Sequence, residues 1–425
     1  MIKNNPFYIL DIPMTAPKGA VLSAAENAVL LGDSQGANDA AVTLLNPQKR
    51  LGAELGWFPG ADDDLIDKIK ASVKASVPVD ISGLRGVTAL NASVYDFTLR
   101  DPAKKAKKQR EKIDQYVVDI LRMAILYDHL DPESITEKIN SAREAADILP
   151  ATVSQVAEEI SSMRSGISGE IASKIWKLPK YERLSVMNTL AYECLRYDSI
   201  LIPAVIEDVF DSYEIIIHEE SDRLKTLAHE YALKIKKAHA EVAFITRHWL
   251  NKYTAVLSEW VMLARPLILR SSKYNTAYGP AEELSKESTS IVICLQTEKK
   301  FSDRWTMANE LMQKMARIFK DSPKLAAPYM PTPEEVEARK KVNDALAKWG
   351  IIFGVIILSG SFLMGFAFLS EGMYREFFES GLMTIVPPVV IIWLIVRYMR
   401  KKRREKEEAE AEAAGHDTSG GERKS

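Results

Sequence analysis

The sequence predicts an all-α protein. It is expected to comprise a small helical module over residues 1–60, a larger helical body over 61–330, a linker over 331–348, a two-helix transmembrane hairpin over 349–398 and a charged, disordered tail over 399–425. Three observations predict this. Two long runs near the C-terminus carry no charge. Elsewhere, apolar residues recur at helical spacing between turns marked by Pro and Gly. Only one strand-like run, Ile291-Val292-Ile293-Cys294-Leu295, stands out, and no repeat of fixed period emerges.

Composition narrows the class. With 425 residues, 47% hydrophobic and 27% charged, the chain can bury a sizeable core without staples. A formal net charge of −2 gives no reason to expect a nucleic-acid partner. The two cysteines, Cys194 and Cys294, form no CxxC. That excludes a disulfide scaffold and fits a reduced, cytosolic setting, with a single structural bridge left open. The opening residues hold no apolar h-region, so no cleavable signal peptide is expected and membrane insertion falls to the C-terminal runs.

In the N-terminal module, Asn5-Pro6-Phe7-Tyr8-Ile9-Leu10 is a short apolar segment leading into a turn. A helix is expected over residues 17–31, with Pro17 at its first position and Val21, Leu22, Ala25, Ala28 and Val29 on one apolar face. Gly32-Asp33-Ser34-Gln35-Gly36 reads as a turn. A second helix is expected over 38–45, interrupted by Asn46-Pro47. A last helix presents Leu51, Leu55 and Phe58 before Pro59-Gly60.

This pattern resembles the J domain of DnaJ-type co-chaperones over about residues 5–60. Tyr8 and Leu10 lie where that family has its opening helix, and residues 40–50 fit its A-x-x-x-L-x-[ND]-P-x-x-R stretch through Asn46, Pro47 and Arg50. The resemblance implies a module that docks a protein partner, with a DnaK-type chaperone ATPase as the family's usual one. The family's stimulatory His-Pro-Asp is absent. Asp33 and its neighbours stand in its place, and Asp128-His129-Leu130-Asp131-Pro132 is neither that motif nor in that position. The fold is therefore expected without ATPase stimulation. An unrelated helical bundle carrying the same Asn-Pro-x-x-Arg is the alternative.

The body reads as successive helices. Leu65, Ile66, Ile69 and Val73 share one face, and residues 78–84 break the pattern. Asp101-Pro102 is expected to open a helix running through Tyr127, and Asp131-Pro132 another. Pro150, Gly166, Gly169, Pro179 and Pro203 punctuate the middle of the body. Residues 204–262, free of Pro and Gly, have room for one or two long helices.

Chemistry in the body is sparse. His218 and His229 are eleven residues apart, about 16 Å along one helix and too far for shared metal ligation. No phosphate-binding loop, dinucleotide fingerprint or nucleophile elbow occurs, and no cofactor is implied. Trp249, Tyr253 and Trp260 at helical spacing read as packing residues, with a peptide groove as the functional alternative. The basic run over residues 104–110 reads as a solvated face or a contact for lipid or an acidic partner.

The hairpin comes from residues 349–369 and 380–396, the first long enough at about 1.5 Å per residue to span a bilayer core. Pro387 and Pro388 are tolerated as a kink in lipid. Basic flanks enclose the pair, with Lys348 before it and Arg397, Arg400, Lys401, Lys402, Arg403 and Arg404 at its far end, while the linker between the runs is acidic. This charge pattern places both termini in the cytoplasm, and the compact hairpin suits a bacterial inner membrane. The functional expectation is a membrane-anchored, non-catalytic adaptor whose J-like module docks a protein partner while the helical body binds another or self-associates. The alternatives are a co-chaperone recruiting a DnaK-type ATPase and an enzyme with a site in the helical body.

Overall fold

A computed structural model describes residues 2–32, 34–101, 109–196, 201–238, 243–297 and 302–330. The runs over 349–369 and 380–396, their flanking cations and the tail lie outside the described residues. Among those described, no helix is long and apolar enough to cross a membrane.

The described residues are helical throughout, with no strand. The N-terminal part comprises α1 (Pro6–Ile9), α2 (Lys18–Leu30), α3 (Ser34–Leu45), α4 (Pro47–Leu55), α5 (Asp63–Ala75) and α6 (Gly86–Thr98). Then come α7 (Gln109–Asp128), α8 (Pro132–Ala145), α9 (Val153–Trp176) and α10 (Lys180–Arg196). The long pair α11 (Ala204–Ala238) and α12 (Ala243–Lys273) precedes α13 (Gly279–Gln296), α14 (Ser302–Ile318) and α15 (Pro323–Ala326).

Local chemistry accounts for many of the boundaries. Asp62 caps α5, Asp131 caps α8 ahead of Pro132, and Thr152 with Gln155 forms a reciprocal capping box on α9. The strand-like run 291–295 lies inside α13, where Ile291, Val292 and Leu295 are buried on one face. One expectation about breakers fails. Gly166 and Gly169 do not punctuate the chain but sit within α9, a 24-residue helix held by buried Val156, Ile160, Ile167, Ile171 and Ile175. Pro266 lies inside α12, where the Tyr213 hydroxyl donates to the Leu263 carbonyl at 2.6 Å in the preceding turn. Tertiary burial outweighs a local helix penalty of about 1 kcal/mol for Gly and about 3 kcal/mol for Pro.

Packing is organised around α11 and α12, which form a helical hairpin of 35 and 31 residues. Helices α7, α9 and α13 pack on α11, and α10 and α14 on α12, building the largest core around Phe210, Tyr213, Tyr253, Leu257 and Trp260. A second core fills the N-terminal part. It joins Phe7, Val21, Leu44, Trp57 and Phe58 to Ile66, Ile69, Val73 and Tyr95, so packing runs on through α5 and α6 rather than closing at residue 60. A third, small core of Leu51, Leu55, Val87, Ile135, Ile139 and Val156 fastens α4 to α6, α8 and α9. Residues 1–330 thus pack as one unit.

Candidate protein-docking site

The Asn-Pro-x-x-Arg motif forms the start of α4. The Asn46 carboxamide oxygen accepts from the Gln48 and Lys49 N–H groups at 3.0 and 3.2 Å, and Pro47 occupies the first turn, where a missing N–H costs nothing. One turn on, Arg50 points inward and is fully buried. Its guanidinium donates to the Met14 carbonyl at 2.6 Å and the Leu44 carbonyl at 3.5 Å, and lies 5.2 Å over the Phe7 ring. Its Nε donates to Glu54 Oε1 at 2.8 Å.

The other Glu54 oxygen, Oε2, accepts from Arg143 Nε, also at 2.8 Å. Arg143 on α8 further donates to the Leu149 carbonyl at 3.1 Å and the Pro47 carbonyl at 2.9 Å. One carboxylate between two guanidiniums therefore ties α4 to the entry of α2, the end of α3 and α8. Burial holds Glu54 above the usual carboxylate range, opposed by Arg143 and Arg50, and the same burial lowers Arg50. Arg50 has no exposed surface to offer a partner, and its role in the structure is internal.

The opening segment is equally tied down. Asn5 caps α1 by accepting from the Phe7 N–H at 3.0 Å and donates to the Ala53 carbonyl at 2.8 Å. Tyr8 is half-buried, with its ring 6.4 Å from that of Trp57, and Leu10 is buried at the end of α1. Leu10, like Arg50, is a core residue. Asp33 lies outside the described residues.

The surface of the module lies on α2 and α3, which pack on each other. Its layout differs from the expected one. Val21 and Ala25 face the core, whereas Leu22 and Val29, expected on the same face, are exposed. The helix is apolar around most of its circumference, so sequence spacing alone does not show which stripe is covered. Helix α2 starts at Lys18, with Pro17 as its extended N-cap, and ends before Leu31 and Gly32. The φ of +102° at Gly32 suits glycine. Helix α3 begins at Ser34, four residues earlier than expected, because Gly36 is accommodated within it. Helix α4 stops at Leu55, leaving Phe58 in the next turn but still buried.

Together α2 and α3 frame a groove of about 780 Å³ lined by Leu22, Ala25, Val29, Ala41, Val42 and Leu45. Leu30 and Leu31 at its end are 84% and 89% exposed. The exposure of Leu22, Val29, Leu30, Leu31 and Val42 on one hairpin is the feature that sequence reading missed. Its signal was the five apolar positions assigned to a single face of α2, more than one face can bury.

Other candidates resolve into packing or surface pairs. Tyr253 and Trp260 are fully buried, the Tyr253 hydroxyl lies 2.6 Å from Ser288 Oγ, and Trp260 Nε1 donates to Ser221 at 2.9 Å. Trp249 instead stacks on Tyr231 at the surface, flanked by Lys234 and Lys252. His218 pairs with Asp222 and His229 with Glu287, in separate places. Among the described residues no group of His, Cys, Asp and Glu is arranged to hold a metal ion. Cys194 and Cys294 are free thiols. Most of the basic run at 104–110 lies outside the described residues. No protein-family model matches the chain, and neither a curated protein nor a solved structure matches it.

Proposed function

We propose that this chain is a membrane-tethered, non-catalytic adaptor whose degenerate J-like module docks a protein partner in the α2–α3 groove. The hairpin at 349–398 holds it to a bacterial inner membrane with both termini cytoplasmic. The observation that carries the reading is the exposed apolar rim of Leu22, Val29, Leu30 and Val42 around one groove. Large apolar patches on a protein surface mark interaction sites more often than chance exposure does. A groove between two helices suits an amphipathic helix presenting apolar residues one turn apart.

The test places a photo-crosslinking residue at Val42 or, as a control, at exposed Tyr181, with the full-length chain in its membrane. Crosslinking to protein from position 42 alone supports the reading, and equal yields from both positions overturn it. The co-chaperone alternative is separated by assaying a DnaK-type ATPase with the full-length chain. No stimulation is expected. Stimulation that disappears on Asp33→Asn would replace the adaptor by a co-chaperone.

A further inference from the structure

Away from the groove, α6 and α7 face each other across a cleft of about 750 Å³, closed on one side by the segment joining α5 to α6. Its lining alternates by helical spacing: Ser93, Asp96 and Arg100 from α6 and the residues just after it, and Tyr116, Asp119 and Arg122 from α7. Two of these groups are buried and unsatisfied. Tyr116 is 2% exposed, with its ring edge-on to Phe97 at 5.6 Å, and Ser93 is 7% exposed. Neither hydroxyl has a hydrogen-bond partner among the described residues. Buried polar groups are paired in the great majority of folded proteins, so two orphans lining one cleft call for a partner from outside the chain.

The charged walls narrow its chemistry. Arg100 is engaged by Asp119, and Lys112 by Glu182 at 2.7 Å. Asp96 accepts the Val79 N–H at 2.8 Å but makes no ion pair among the described residues, and Arg122 makes neither a hydrogen bond nor an ion pair there. Asp96 thus feels Arg100 and Arg122 electrostatically, while neither Asp96 nor Arg122 closes an ion pair among the described residues. The apolar part of the lining is Pro78, Ile81 and Leu99. A polyanion would meet Asp96 and Asp119, and a bare metal ion would lack a convergent ligand set among the described residues.

We propose that this cleft binds a small amino-acid-like zwitterion with an apolar side chain. Its carboxylate lies on Arg122 and the Ser93 and Tyr116 hydroxyls, its ammonium on Asp96, and its side chain against Ile81 and Leu99. The assignment is independent of the adaptor reading.

The test is calorimetric titration of the full-length chain in detergent with L-leucine, leucinamide and 4-methylpentanoate. Leucine is expected to bind, and the two analogues, each lacking one charge, to bind about 10-fold more weakly or worse. Arg122→Gln, at an exposed position, and Asp96→Asn, at a half-buried one, are each expected to weaken leucine about 10-fold. The pair Ser93→Ala with Tyr116→Phe is expected to weaken binding without lowering the melting temperature, since neither hydroxyl bonds to the described chain. Absence of leucine binding up to about 10 mM, equal binding of either analogue, or binding unchanged in Arg122→Gln and Asp96→Asn would overturn the proposal.

Discussion

Replacing Arg143 with methionine keeps most of the apolar bulk of a nearly buried side chain and removes its charge. Three hydrogen bonds go with it, to Glu54 Oε2, Leu149 O and Pro47 O. Glu54, fully buried, is left with Arg50 alone, and two carbonyls lose their donor. Removing one member of a buried ionic cluster costs about 3–5 kcal/mol, because the remaining charge stays desolvated. For a helical body of this size about 2 °C of melting temperature accompanies each kcal/mol, so a loss of about 6–10 °C is expected. The loss should also depend on pH. Burial holds Glu54 above its ordinary range, and Arg143 is the strongest influence pulling it back, so the variant raises it further. A carboxyl with a raised folded-state value contributes stability below its unfolded value and loses it as pH climbs through the folded one. The deficit of Arg143→Met is therefore smaller at acid pH, where the carboxyl is protonated, and grows as the pH rises through its raised folded-state value. In that background Glu54→Gln should cost less than it does alone, since it removes an already uncompensated charge. Thermal melts followed by tryptophan fluorescence on the full-length chain in detergent measure all of this. A deficit that is flat with pH, together with additive effects of the two substitutions, would refute the cluster.

Single features give further expected outcomes. Asn46→Ala removes the cap of α4 and should lower stability by about 1 kcal/mol, read as a lower urea midpoint at unchanged slope. The Cys194 thiol, pushed up to about 12 by burial, should resist thiol reagents at about pH 8 until the chain unfolds, while the more accessible Cys294 reacts first. Deleting residues 349–398 should move the chain from the pellet to the supernatant in detergent-free ultracentrifugation, and retention in the pellet would sink the hairpin assignment.

Much of the helical order was legible because local signals agreed with packing. Asp131-Pro132 marks the start of α8, and the spacing of Ile66, Ile69 and Val73 marks the buried face of α5. The misreadings share a cause. Gly36, Gly166 and Gly169 are breakers by local preference, yet each lies within a helix, at a cost that burial of neighbouring residues exceeds. The ionic cluster was half visible. Arg50 and Glu54 stand one turn apart, a spacing that usually means an exposed pair. Their burial depends on Arg143, 89 residues beyond Glu54, and no local pattern carries that distance. The cleft hydroxyls were invisible for the same reason, since Ser93 and Tyr116 come to line one cleft only when α6 and α7 pack.

The placement of Arg50 separates two properties that the J-like resemblance joins. Asn46 caps a helix, Pro47 starts it and Arg50 closes a buried cluster. Each of these tasks serves the fold whether or not an ATPase is ever met, so the motif can persist in a module that has no His-Pro-Asp. What a partner would meet instead is the outer surface of α2 and α3, whose only charged residues are Lys18, Glu26 and Asp39. On the proposed reading, recognition there comes from burying Leu22, Val29, Leu30, Leu31 and Val42 rather than from charge steering. Raising salt to about 0.5 M screens exposed ion pairs but leaves apolar burial intact. Crosslinking through position 42 is therefore expected to survive that salt and to fall with Leu22→Asp or Val29→Asp. Loss of crosslinking in salt, with both aspartate variants unaffected, would place the docking surface elsewhere.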